Sequence, residues 1–253
     1  MIKGLGFTHE TFKFPVGEMH VKVHSYTPND EVAIEFYFER TEELVELMLI
    51  ANALKHAGLT LERIFMPYVP FGRQDRVAVS GECFSLEVFA GIINSLGVVV
   101  EIADPHSDVS TALIHNCLVI HQHEIFEPML REIEPFKLIC PDGGARKKIN
   151  KISDLPSMTN RILGVVECSK KREPRTGAIT GTVVYADSLE GDTCVIVDDI
   201  CDGGKTFIEI AKVLREKGAK KVILMVSHGF FTKGMEVFDG IIDEIYTLKG
   251  KVK

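Results

Sequence analysis

The order of apolar runs and helical patterns predicts an α/β protein of two tandem domains, each a mostly parallel sheet flanked by helices. Three observations carry this. Val195-Ile196-Val197, Phe136 to Cys140 and Val98 to Ala103 are short, largely apolar runs of the kind that buried parallel strands need. Such runs alternate with stretches whose apolar residues recur at three- and four-residue spacing. Polar and glycine-rich clusters fall just after the strands, where parallel sheets hold their functional groups.

Taken in order, Met19 to Tyr26 alternates like a half-buried strand, and Val32 to Phe38 is a second. Glu42 to His56 has helical periodicity and stops before Gly58. Arg63 to Tyr68 reads as a strand running into Val69-Pro70-Phe71-Gly72-Arg73-Gln74-Asp75-Arg76. A helix over Phe84 to Leu96 and a strand over Val98 to Ala103 follow, the strand stopping at Asp104-Pro105-His106. Ile120 to Ile133 reads as helix, and Phe136 to Cys140 as a strand ending in Pro141-Asp142-Gly143-Gly144. Ala145 to Ile152 is helical and basic, and Arg161 to Val166 is a strand. Ser169 to Gly181 has adjacent Lys170, Lys171 and Arg172 and no apolar anchor, so an exposed, mobile loop is expected. A strand over Lys221 to Ser227, a helix around Lys233 to Phe238 and a last strand near Glu244 to Leu248 complete the pattern. A boundary near Ile133 to Pro135 gives domains of 1–133 and 134–253.

Bulk properties exclude some classes. The chain has 253 residues, 45% hydrophobic and 26% charged, ordinary for a soluble globular protein with ample core. A net charge of −7 argues against nucleic acid or a membrane surface as the main partner. The six cysteines show no CxxC spacing and several lie in strand-like runs, as reduced core residues of a cytoplasmic protein would. No signal peptide and no membrane-length apolar run is visible, so a cytoplasmic location is expected.

The chemistry concentrates between Thr193 and Gly218. Asp198 and Asp199 close an apolar run, Asp202-Gly203-Gly204-Lys205-Thr206 follows, and a helical pattern begins with Phe207, Ile210, Ala211 and Leu214. Two glycines let consecutive N–H groups converge on an anion at a helix N-terminus. Thr206 adds a hydroxyl and Lys205 a positive charge. The paired carboxylates can accept from vicinal sugar hydroxyls or face a hydrated Mg²⁺. A phosphorylated ribose offers both ends; a strand–turn–helix with N-capping acidic residues is the plain alternative. The spacing does not fit an ATP-binding P-loop. His121 and His123 flank Gln122, where an exposed helix end is expected over a zinc site.

This stretch resembles the phosphoribosyl-pyrophosphate (PRPP) binding loop of type I phosphoribosyltransferases and PRPP synthetases, with Lys205 where a glycine is usual. Further clusters resemble PRPP synthetase motifs in the same order. These are Phe14-Pro15-Val16-Gly17-Glu18, the helix Met48 to Gly58, Tyr68 to Arg76, Asp104-Pro105-His106, Pro141 to Gly144 (one residue shorter) and Lys170-Lys171-Arg172. The similarity runs from about Phe14 to Leu248.

The resemblance implies two phosphoribosyltransferase-like domains, ATP-binding then sugar-phosphate-binding. The implied reaction transfers the β,γ-diphosphate of MgATP to the C1 hydroxyl of ribose 5-phosphate, releasing AMP. Lys170, Arg172 and His106 would be catalytic, with Arg175 in support; diphosphoryl transfer needs in-line positioning and positive charge on the moving oxygens. Arg73, Gln74 and Arg76 would hold ATP, with Asp75 fixing the arginines by bidentate pairs. Phe14 would stack on adenine and Glu18 accept from the nucleotide, partly across a homo-oligomer interface. Val16 replaces an acidic residue there. His106 and Asp142 would bind Mg²⁺. Asp198 and Asp199 would hold the ribose hydroxyls, and Asp202, Gly203, Gly204, Lys205 and Thr206 the 5-phosphate. Compared with the family, a leading βα unit and a C-terminal extension are expected to be missing, as in a streamlined, phage-type form. ADP-ribose as acceptor, in NAD salvage, is a variant of the same chemistry. A PRPP-consuming phosphoribosyltransferase and a non-catalytic PRPP-synthetase-associated subunit are alternatives that the basic clusters disfavour.

Overall fold

The computed structural model describes residues 1–172 and 179–253. The chain divides between Ile120 and His121, earlier than the break expected after Ile133. The helix Gln122–Arg131 decides this: it buries Ile125, Phe126 and Leu130 and packs on elements of the second unit.

The first unit runs β1 (Ile2–Leu5), β2 (Thr8–Lys13), β3 (Met19–His24), β4 (Glu31–Phe36), α1 (Glu42–His56), β5 (Thr60–Met66), α2 (Ser85–Asn94), β6 (Val99–Ala103), α3 (Asp108–Leu113) and β7 (Cys117–Ile120). Its sheet has the order β1-β4-β5-β6-β7, parallel except for β1, while β2 and β3 form a separate hairpin. From β4 onward each strand adds on the same side of the last. Right-handed crossovers then place the connecting helices on one face. Val32, Ile34, Phe36, Ile64, Met66, Val100 and Ile102 are buried in a common core with Leu47, Ile50 and Leu54 of α1 and Phe89 of α2. Glu42 and Glu43 in the first turn of α1, and Lys55 and His56 in the last, complement the helix dipole.

The second unit runs α4 (Gln122–Arg131), β8 (Phe136–Cys140), α5 (Arg146–Ser153), β9 (Ile162–Arg172), β10 (Ile179–Val184), β11 (Thr193–Cys201), α6 (Lys205–Glu216), β12 (Lys221–Gly229), β13 (Glu244–Thr247) and β14 (Gly250–Lys251). The order β10-β9-β8-β11-β12-β13-β14 puts the first strand, β8, mid-sheet. The chain moves to one side through β9 and β10, then returns to the other side at β11. Right-handed crossovers in opposite directions set α5 and α6 on opposite faces. The point of reversal, between β8 and β11, is where open α/β sheets bind ligands. One core joins Ile139, Ile196 and Leu224 to Phe207, Ile210 and Leu214 of α6.

Two expectations fail here. The strand over Arg161 to Val166 does not give way to a loop: β9 continues to Arg172 and pairs antiparallel with β10, Lys170 opposite Thr182 and Arg172 opposite Ile179. The lysine run hid the strand pattern that Cys168 and Val184, both buried, continue. Arg175 and the rest of 173–178 lie outside the described residues. The helix around Lys233 to Phe238 shrinks to a single 3-10 turn, Glu236–Phe238, because Phe231 and Gly234 take left-handed conformations with φ of 48° and 81°. Among the described residues no helix is long and apolar enough to cross a membrane.

Candidate functional site

In the second unit the central strands have unequal lengths. β11 pairs with β8 only as far as Ile196, but continues beside β12 through Asp198 to Cys201. Asp198 and Asp199 therefore project past the end of β8, above the turn that begins at Pro141. In that turn Asp142 Oδ1 accepts from the backbone N–H groups of Gly144 at 2.9 Å and Ala145 at 3.4 Å, an Asx-type turn that leads into α5. Lys148, one turn along α5, brings Nζ to 3.5 Å from Asp199 Oδ2. Asp198 Oδ1 accepts the Asp199 N–H at 2.9 Å. Burial raises the Asp198 carboxyl well above the ordinary carboxylate range, and the charges of Asp199 and Asp142 push the same way.

The loop after β11 turns on Gly204, whose φ of 78° is left-handed. It is the residue before the first turn of α6, and no side chain caps that terminus. The acidic N-cap of the plain reading is absent: Asp202 Oδ1 instead accepts from Thr232 Oγ1 at 2.6 Å. The Phe230 N–H donates to Cys201 O at 2.8 Å and the Thr232 N–H to Asp202 O at 3.2 Å, so the segment after β12 braces the loop. Lys205 is exposed at the start of the helix. Backbone donors, a glycine bend and a hydroxyl at Thr206 stand next to the two aspartates, a combination with the chemistry to receive an anion.

In the first unit the predicted residues also fall at strand ends. Phe71 has φ 61°, a costly conformation for an aromatic residue. Its ring lies 5.8 Å from Phe38 and 6.0 Å from Phe89, centroid to centroid, and this packing anchors the turn after β5. The Gln74 N–H donates to Phe71 O at 2.8 Å. Arg73, Gln74 and Arg76 are thereby presented at the surface. The Asp75–Arg76 pair is looser than the bidentate pairing expected, with Nε 3.8 Å from Oδ1 and the Arg76 side chain 84% exposed. His106, exposed, follows the buried Asp104, and its Cβ is 3.8 Å from where a Gly72 side chain would begin. The loops after β5 and β6 thus lie side by side. Phe14 and Glu18 close the β2–β3 hairpin, with the Phe14 N–H donating to Glu18 O at 2.8 Å. Phe14, Phe12 and His20 form an exposed aromatic cluster there, Phe12 and Phe14 at 5.4 Å between centroids.

Mg²⁺ prefers oxygen ligands and keeps much of its water shell. Asp142, Asp198 and Asp199 give a surplus of negative charge over Lys148, a donor set that suits such an ion. Among the described residues no group of three His, Cys, Asp or Glu converges enough to ligate a metal unaided. A cation here would take its remaining ligands from water and substrate oxygens. Sequence reasoning missed Lys148 and Thr232. The basic character of α5 hinted at the first; the second sits just past β12, where the strand-end rule could have found it.

Comparison with known proteins follows the same lines. A family model described as a phosphoribosyl transferase domain matches residues 118–237. A ribose-phosphate pyrophosphokinase of Pyrococcus abyssi is 30% identical over 240 residues, covering 89% of this chain and 77% of the relative. Its counterpart in Thermococcus kodakarensis is 28% identical over 243 residues, covering 93% and 83%. Among solved structures, a phosphoribosylpyrophosphate synthetase from Mycobacterium smegmatis shares the fold. It has a TM-score of 0.78 at 21% identity, over 95% of this chain and 80% of that one.

Proposed function

Because this chain belongs to the ribose-phosphate pyrophosphokinase family of diphosphotransferases, we propose that it transfers the β,γ-diphosphate of MgATP to the C1 hydroxyl of ribose 5-phosphate, releasing AMP. The observation that carries this is the placement of Asp198 and Asp199 past the end of β8, beside the uncapped start of α6. A ribose whose 2- and 3-hydroxyls donate to the aspartates can rest its 5-phosphate on the N–H groups of Gly203 to Thr206. Lys148 then holds Asp199 in place, and Thr232 does the same for Asp202. Lys170 and Arg172, with Arg175, would balance the charge of the moving diphosphate. Arg73, Gln74, Asp75 and Arg76 would hold ATP, with Phe14 and Glu18 on its adenine, contributed in part by a neighbouring subunit. Asp142 would hold Mg²⁺ in the second unit, His106 would meet metal-bound ATP in the first, and Mg²⁺ when bound neutralises phosphate charge. Acceptor and nucleotide are both small cytoplasmic metabolites, and the reading needs neither a membrane nor a nucleic acid.

Lys205 favours a second acceptor of the same chemistry, ADP-ribose. Its side chain is 89% exposed and lies 3.9 Å from Glu209. A diphosphate at the 5-position would give it a second phosphate to meet. The test is AMP release from ATP and Mg²⁺ with each acceptor in parallel. Faster turnover of ribose 5-phosphate supports the first reading. Under the second, K205A lowers kcat/KM for ADP-ribose by about tenfold, the size of one charge-assisted contact. In either case K170A should cut AMP release by about 100-fold or more; intact release would remove Lys170 from the chemistry. Base-dependent pyrophosphate release from PRPP without ATP would overturn both.

A further inference from the structure

The sheet of the first unit has one face packed under α1 and α2 and a second face with no helix of that unit on it. Strand alternation assigns Ala33, Glu35, Arg63, Phe65, Val99 and Glu101 to this second face, and all are exposed or half-exposed. Leu5 at one edge and Leu118 at the other are 37% and 56% exposed. Parallel strands are normally covered on both faces, so an open one is an unmet packing surface. It forms a shallow groove of about 280 Å³.

Its charges are ordered. Across β1, β4, β5 and β6 they read Lys3, Glu35, Arg63, Glu101, alternating in sign. Lys3 Nζ lies 3.2 Å from Glu35 Oε2, and Arg63 Nη1 lies 3.0 Å from Glu101 Oε2. Lys3 is level with Glu35, Glu35 with Phe65 and Phe65 with Glu101 in the strand registers, and Arg63 reaches up to that level through its bond to Glu101.

We propose that this face binds the same face of a second copy of the chain, about a two-fold axis running along the strands between β4 and β5. Such an axis reverses the strand order and keeps the level. Lys3 then meets the copy's Glu101, and Glu35 meets the copy's Arg63, so each of these four charges faces one of opposite sign. A two-fold axis across the strands would set Lys3 on Lys3 and Glu35 on Glu35, which like-charge repulsion disfavours. Leu5, Phe65, Val99 and Leu118 supply the apolar contact between the charges, and isologous pairs of this kind are the commonest closed assembly. The interface is independent of which acceptor the enzyme uses.

The test is sedimentation equilibrium of the full chain and three variants, each checked for a native circular-dichroism spectrum. The unaltered chain should form a dimer that weakens with added salt. R63E should raise its dissociation constant by at least about tenfold, because Glu35 would face a like charge. The fourfold variant K3E/E35K/R63E/E101R reverses every sign, keeps opposite charges paired both within a chain and between copies, and should regain most of the affinity. If R63E fails to fold, K3E makes the same comparison against the fourfold variant. A chain that stays monomeric, an assembly indifferent to the single reversals, or a fourfold variant that does not recover binding would each overturn the proposal.

Discussion

Gly204 shows at one residue how tightly the loop after β11 is built. Its φ is 78°, and a side chain there would begin 2.4 Å from the Phe238 ring. G204A should therefore destabilise the chain by about 1–3 kcal/mol, from backbone strain and the displaced ring together. Urea unfolding measures this, and a matching rise in KM for the sugar phosphate would tie the bend to anion binding. Glu244 gives a second single-residue expectation. Burial alone would raise its carboxyl, but hydrogen bonds from Lys251, Lys221 and Tyr246 outweigh it and hold the group at about 2. The folded value is below the unfolded one, so this stabilisation is complete above the unfolded value of 4.5 and is lost as pH falls toward about 2. E244Q should cost up to about 3 kcal/mol at neutral pH and almost nothing near the acid limit. Urea midpoints across that range decide; an equal loss at every pH would assign the effect to packing.

At the scale of elements, legibility followed periodicity. Helix α1 matches its expected bounds at both ends, because its apolar spacing, acidic start and basic finish all agree. The strand–turn–helix at β11 and α6 was equally plain, since a β-branched run, two glycines and an amphipathic stretch occur in sequence. The edge elements were not. β1, β2 and β7 are short or largely exposed, so nothing in their pattern separates strand from loop. The far end of β9 was hidden because charge outweighed the alternation. Contacts made across the fold, Lys148 to Asp199 and Thr232 to Asp202, leave no local trace at all. The turn after β5 was recognised by its residues but not by what holds it, the Phe71 ring between Phe38 and Phe89. F71A should cost about 2 kcal/mol of stability and raise KM for ATP more than it lowers kcat. The reverse split would mean the turn positions a reacting group and not the nucleotide.

For the whole molecule, two separate hydrophobic cores serve two units, one from Phe7 to Ile114 and the other from Ile139 to Ile245. Calorimetric enthalpy of unfolding should then exceed the van't Hoff enthalpy, the mark of more than one cooperative block. The cysteines provide an independent way to see it. All four thiols of the second unit, Cys140, Cys168, Cys194 and Cys201, are buried, whereas Cys83 of the first is exposed. Burial pushes Cys140 up to about 11 and the other three to about 12. Thiolate is the nucleophile that attacks alkylating agents, so these four stay silent until their surroundings open. A brief iodoacetamide pulse followed by mass analysis of peptides would label Cys83 promptly and the four buried thiols together when the C-terminal half comes apart, with the half-buried Cys117 reporting on the first unit. That half of the enzyme carries its own clock for the moment it opens, with no probe to be introduced.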